Sequence, residues 1–257
     1  MNDNIIYEQP TNETIRLLMK LEYLLSKYKF HYSQSSIWNI KEAINTLFEL
    51  TELSSRNNIK LILLKEIALS KDLLVKLGQK GYIDESTLKQ YSLILFEQEN
   101  KIHQLKDNIF SKILDNEFIL SIKNKVYFPA GDNFFDLPSY LNFLTFNKNK
   151  IYTSLDMWFE NYPVINDSIN VILELKRKGS SFEECVAVDG FYEINYDKNQ
   201  NLEIIRIKMD KDTNIYPIVS LNNRKISILF KMLASQDLIP KKISNDIYFS
   251  YSCIFKV

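Results

Sequence analysis

PVINDSINVILELKRKG, residues 163–179, decides the fold, because the hydrophobic period changes on its far side. Pro163 stands in a first helical turn, where its missing N–H costs nothing. Lys176, Arg177 and Lys178 fill the last turn and Gly179 follows, so both the helix dipole and the C-terminal cap favour a stop here. Before this point apolar residues recur at helical spacing; after it they alternate.

Downstream, Asp189 and Gly190 make a turn, and FYEINY and LEIIRIKM flank the polar DKNQN as a β-hairpin. Ile226, Ile228, Phe230 and Met232 alternate with Ser227, Leu229 and Lys231, and Ile247, Phe249, Tyr251, Cys253 and Phe255 share one face of a last strand. Residues 180–257 read as an antiparallel β domain of five or six strands. Upstream, Ile5–Tyr7 is a β-prone run closed by Pro10, too short to stand alone. Its partner has to come from the far end of the chain, so a short strand over 4–8 is expected to join the C-terminal sheet. The class is α+β: a helical domain over 1–179 and a β domain over 180–257.

Within the helical part, Thr11 or Asn12 caps a first helix with Ile15, Leu18, Leu21, Leu25 and Tyr28 on one stripe. Ser35 and Ser36 open a second helix, Asn57 or Asn58 a third that ends at Gly78, and Asp84 a fourth. The third and fourth make an antiparallel hairpin. Leu73, Leu74, Leu77, Leu88 and Tyr91 cluster near its tip, where few neighbours are at hand to cover them. Two readings stand: an exposed apolar groove, or a cluster that later helices bury. A fifth helical region, 116–126, leads into YFPAGDNFFDLPSYLNFLTF, residues 127–146. Pro129 ends the helix, Gly131 is suited to positive φ, and Asp136 before Leu137 and Pro138 is the expected cap of a restarted helix. Two further helical pieces, 151–162 and the one headed by Pro163, complete the region.

Lys plus Arg and Asp plus Glu number 32 each, so no basic field draws the chain to nucleic acid or an anionic membrane. Cys185 and Cys253 are isolated, which fits free thiols in a reducing compartment and neither a zinc site nor a disulfide framework. The N-terminus lacks a signal-peptide pattern, and no run reaches the ~18 apolar residues of a membrane span. A cytoplasmic protein without membrane insertion is the expectation. His31 and His103 stand apart from any nucleophile, and the chain has no glycine-rich phosphate loop and no metal motif. Its carboxylates sit mostly on polar helix faces near Lys, where solvated pairs explain them. No catalytic residues, metal or cofactor are therefore expected. Binding or scaffolding is favoured over an enzyme working through dispersed carboxylates.

Pro129, Gly131, Phe135, Asp136, Leu137 and Pro138 resemble the PGG and FDLP signature of the ZapD family, bacterial cell division proteins that bind the tubulin-like FtsZ. IIYEQPTNETIRLLMKLEYLL, SRNNIKLILLKEI, DGFYE and NIYPIVSLNNRKISILF are similar to further family blocks, in the same order. The resemblance implies a homodimer with a helical and a β domain, which cross-links FtsZ filaments and stabilises the division ring at midcell without hydrolysing anything. It places an apolar cleft for the C-terminal tail of FtsZ at Leu74, Leu77, Tyr91 and Leu175, which favours the groove reading of the hairpin. It assigns filament contact to the basic Arg16, Lys20 and Arg56. Departures accompany it: Leu77 stands where relatives can have Trp, Tyr91 where they can have Leu, Ala130 replaces a glycine, Asp132 and Asn133 replace small residues or Cys, and Glu117 and Leu141 fall where basic groups or His occur. The alternative is an adaptor of similar shape for another protein's amphipathic helix.

Overall fold

Side-chain caps set where the helices begin. In the computed structural model, which describes residues 4–197, 200–211, 213–222, 225–234 and 238–256, the Asn12 side chain accepts from the Ile15 N–H at 2.8 Å and starts α1 (Glu13–Ser33). Ser36, Asn58 and Asp84 do the same for α2 (Ile37–Ser55), α3 (Ile59–Gln79) and α4 (Glu85–Gln104). Asn116 caps α6 (Glu117–Val126), preceded by the one-turn α5 (Ser111–Leu114), which four residues of sequence could not announce. After the turn come α7 (Pro138–Leu144), α8 (Lys148–Trp158) with Asn147 as cap, and α9 (Tyr162–Lys178). The backbone divides into two units, Leu17–Leu173 and Met1–Arg16 with Glu174–Val257.

In the helical unit the α1 stripe read from sequence is buried at Leu18, Leu21, Leu25 and Tyr28, and Ile40, Ile44 and Leu47 on α2 and Ile165 and Ile169 on α9 are buried as well. The turn between α6 and α7 differs in detail from expectation. Ala130, not Gly131, takes the left-handed backbone, at φ 53°. Gly131 is needed for another reason: a Cβ there would lie 1.9 Å from the Lys125 carbonyl oxygen. Nor does Asp136 cap α7. Leu137 occupies the residue before the helix, leaving Asp136 one position short. Asn133 holds the turn instead, accepting from the Asp136 N–H at 2.7 Å and donating to the Ala130 carbonyl at 2.8 Å. Pro138 does open α7.

The second unit carries two antiparallel sheets. One has the order β1 (Asn4–Pro10), β4 (Leu202–Asp210), β8 (Ile247–Phe255), β2 (Glu183–Ala187). The other runs β3 (Phe191–Asn195), β6 (Lys225–Leu233), β5 (Ile215–Asn222), with the short β7 (Pro240–Lys242) also on β6. The N-terminal run finds its distant partner: Asn4 to Pro10 pair in unbroken register with Asp210 to Ile204. The hairpin expected between FYEINY and LEIIRIKM is not formed. β3 pairs with β6, whereas β4 lies between β1 and β8 in the other sheet. The two strands also differ in burial: β4 is covered on both faces, whereas β3 alternates at an edge. Of the polar link between them, Lys198 and Asn199 lie outside the described residues. Asp189 and Gly190, at φ 50° and 71°, turn the chain tightly from one sheet into the other. Ile205, Ile207, Ile226, Ile228, Phe230 and Phe249 form the shared core, with the Phe230 and Phe249 rings 4.9 Å apart.

Charged groups fasten the last turn of α9 to this unit. The Lys176 ammonium lies 2.6 Å from Glu203, both side chains almost wholly buried. Glu8 of β1 accepts from Arg177 at 2.6 Å and from Arg206 of β4 at 2.9 Å, and Arg206 also donates to the Arg177 carbonyl. A buried charge loses far more from losing its partner than the pair contributes over an apolar replacement.

Two stability outcomes follow. Lys176→Met should lower unfolding free energy by about 3–5 kcal/mol, and adding Glu203→Leu should recover most of that loss, both read by urea denaturation. In the α6–α7 turn, Ala130→Gly should stabilise by about 0.5–1 kcal/mol through relief of left-handed strain, less the added chain freedom. Gly131→Ala should cost about 1–3 kcal/mol through the clash.

Candidate functional site

The α3–α4 hairpin is held close by a glycine and an ion pair. A Cβ at Gly78 would lie 2.1 Å from Leu88 Cδ1, so the glycine gives the Leu88 side chain its place against α3 at the tip. Lys71 on α3 reaches Glu99 on α4 at 2.5 Å, and Lys60 donates to the Leu105 carbonyl at 2.6 Å at the open end. The buried faces follow from spacing: Leu63, Ile67, Ser70, Leu74 and Leu77 on α3, and Tyr91, Leu95, Gln98 and Ile102 on α4. Ser168 of α9 donates to Gln98 at 3.2 Å, giving that buried amide a partner.

Leu74, Leu77 and Tyr91 therefore lie inside this packing, at 2%, 5% and 9% exposure. The apolar surface that the hairpin shows to solvent is carried by their neighbours Leu61 and Val75 on α3, Tyr82 at the tip, and Leu93 and Phe96 on α4. Val75 lies one turn from Lys71 and Phe96 one turn from Glu99, so apolar side chains flank the ion pair. Leu175 is buried on the last turns of α9, in the other unit.

The three basic positions are surface groups with local partners at most. Arg16 lies 3.3 Å from Glu13, and Lys20 is exposed one turn further along α1. Arg56, 3.2 Å from Glu52, sits at the C-terminal cap of α2 with most of its side chain in water. Glu117 and Leu141 are also exposed.

One feature had no announcement in the sequence. Lys41 is buried on the apolar stripe of α2, and its ammonium bonds the Asp132 carboxylate at 2.7 Å and the Asp132 carbonyl at 3.1 Å. The rings of Phe134, Trp38 and Tyr140 surround it at 4.9, 5.2 and 5.6 Å. A cation enclosed by π-faces and one carboxylate is stable out of water. Lys41 thus locks the α6–α7 turn onto α2, and the same turn leaves Tyr127, Phe128 and Phe135 in solvent. The signal available was a lysine one turn from Ile37 and Ile44 on an apolar stripe, with aromatic residues dense in the turn.

Among the described residues no group of three or more His, Cys, Asp or Glu side chains could hold a metal, and no helix is long and apolar enough to cross a membrane. Carboxylates at two cavities of the helical unit have partners: Asp156 accepts from the Tyr32 hydroxyl, Glu160 pairs with Lys112, and Asp107 with Lys60. His31 is engaged by Asn39 at 2.7 Å, and His103 is exposed. Residues 19–229 match the family model of ZapD, described as cell division protein.

Lys41→Met should lower stability by about 2–3 kcal/mol, since Asp132 loses a charge-assisted bond in a partly buried setting. Thermal unfolding, followed alongside Trp38 fluorescence, reads both the loss and the loosened turn.

Proposed function

Since the chain belongs to the ZapD family of cell division proteins, we propose that it binds the C-terminal tail of FtsZ on the helical hairpin and, as a homodimer, cross-links FtsZ filaments at the division ring in the cytoplasm. The observation that carries this reading is the family match over residues 19–229, which takes in the whole hairpin and strands β2 to β5. The hairpin supplies a rigid scaffold with an apolar face, which suits capture of a short amphipathic segment as a helix in a groove. Leu74, Leu77 and Tyr91 form the floor that keeps α3 and α4 in place. Val75, Leu93 and Phe96 are the contact surface, with Lys71 and Glu99 as polar neighbours.

Energetics fit a weak single contact made useful by repetition. One aromatic side chain of the tail buried on this face contributes about 2–3 kcal/mol and a few aliphatic ones add to it, before ordering costs, which gives roughly micromolar affinity. Two such faces on a dimer, met by many tails on one polymer, raise the effective concentration for the second contact. Arg16, Lys20 and Arg56 offer positive charge for filament contact, which would make bundling salt-sensitive. No reaction is required of the protein.

Co-sedimentation with FtsZ filaments, with and without the FtsZ tail, is the test. Pelleting should depend on the tail, and Val75→Ser with Phe96→Ser should weaken it at least tenfold while lowering stability by only about 1–3 kcal/mol, because both side chains are more than half exposed. Leu74→Asp is less informative, since a carboxylate at a position 2% exposed unfolds the hairpin. Pelleting that ignores the tail would overturn the reading, and no pelleting at all would favour an adaptor for another protein's helix.

A further inference from the structure

A cavity of about 320 Å³ opens on the helical unit between α1 and the α8–α9 junction, at the small end of the ligand-site range. Four aromatic rings line it: Tyr28 and Tyr32 from α1, Phe159 and Tyr162 from the junction. Tyr28 stands 5.4 Å from Phe159, near perpendicular, 5.5 Å from Tyr162 and 5.7 Å from Tyr32, so each ring is fixed by its neighbours. The walls are rigid and rich in π-surface.

Charge distinguishes this cavity from a plain apolar dent. Glu160 at the rim is matched by Lys112, and Lys29 is an exposed rim group. Asp156 is bonded by the Tyr32 hydroxyl at 2.7 Å, a neutral donor that leaves its negative charge in place against the rings. Burial raises the Tyr28 hydroxyl, and burial with the bond to Asp156 pushes Tyr32 up to about 12, so both stay protonated at physiological pH. Electron-rich faces beside a carboxylate repel anions, and a neutral apolar group would leave Asp156 unused. The chain already houses a cation by this chemistry, at Lys41 between Trp38, Phe134 and Tyr140 with Asp132.

We propose that the Tyr28–Tyr32–Phe159–Tyr162 cavity, with Asp156 at its edge, binds an organic cation: the ammonium or guanidinium end of a basic side chain, or a free amine of that size. This site is separate from the hairpin face and does not rest on filament binding.

NMR titration of the tyrosine ring signals tests it with three probes: tetramethylammonium, the peptide Gly-Gly-Arg-Gly-Gly, and neopentyl alcohol as the neutral isostere. Both cations should give saturable shifts of Tyr28, Tyr32 and Tyr162 that neopentyl alcohol does not reproduce. Asp156→Asn, an exposed and isosteric change that spares the fold, should weaken cation binding at least fivefold. A peptide at least tenfold tighter than tetramethylammonium identifies a basic side chain as the ligand, and equal affinities identify a free amine. Absence of saturable shifts from both cations, equal shifts from neopentyl alcohol, or unchanged cation affinity in Asp156→Asn would each overturn the assignment.

Discussion

The Glu8 carboxylate, shared between the guanidinium groups of Arg177 and Arg206, ties the first strand to a helix end and a strand that lie 169 and 198 residues away in sequence. Glu8 belongs to the first strand, Arg177 to the last turn of the final helix, and Arg206 to the central strand. Because β1 pairs with β4 along its whole length, the sheet unit contains both ends of the helical excursion from Leu17 to Leu173. The helices therefore form as an insertion between the first strand and the rest of the β unit. Closing so long a loop costs entropy that grows only slowly with length, and seven paired residues with a buried ion network offset it.

Much of this was legible in the sequence because it is local. The helix starts were set by Asn12, Ser36, Asn58 and Asp84, each a side chain that satisfies backbone N–H groups two or three residues on. The change of period after Gly179 marked where helices give way to strands, and the short run at Ile5 had to find a distant partner. What local pattern could not supply was pairing. FYEINY and LEIIRIKM look like adjacent strands of a hairpin, yet alternation reports that a strand exists and is silent about its neighbour. Only the pairing of β4 with β1 and β8 places it inside the other sheet.

The site was half legible for a related reason. Spacing placed Leu74, Leu77 and Tyr91 near one another, but whether a cluster is covered depends on later helices, and here it is covered. The solvent-facing residues Val75, Leu93 and Phe96 lie off the stripe that draws the eye in a sequence. Lys41 escaped notice because a lysine on an apolar stripe reads as a solvated end; its enclosure needs the three rings and the Asp132 carboxylate, which come from α2, the turn and α7. The α6–α7 turn likewise uses Gly131 for its close approach to a carbonyl and gives the left-handed position to Ala130.

Under the proposed function, weak apolar contacts on a stiff hairpin are doubled by dimerisation. Bivalency has a signature that no monovalent binder shares. Light scattering of assembled FtsZ filaments, measured as the protein is added far beyond equivalence, tests it most directly. Scattering should rise to a maximum near one binding face per tail and then fall, as each face holds a tail and few are left to bridge. A signal that climbs to a plateau and stays there at large excess would contradict cross-linking by a two-faced dimer.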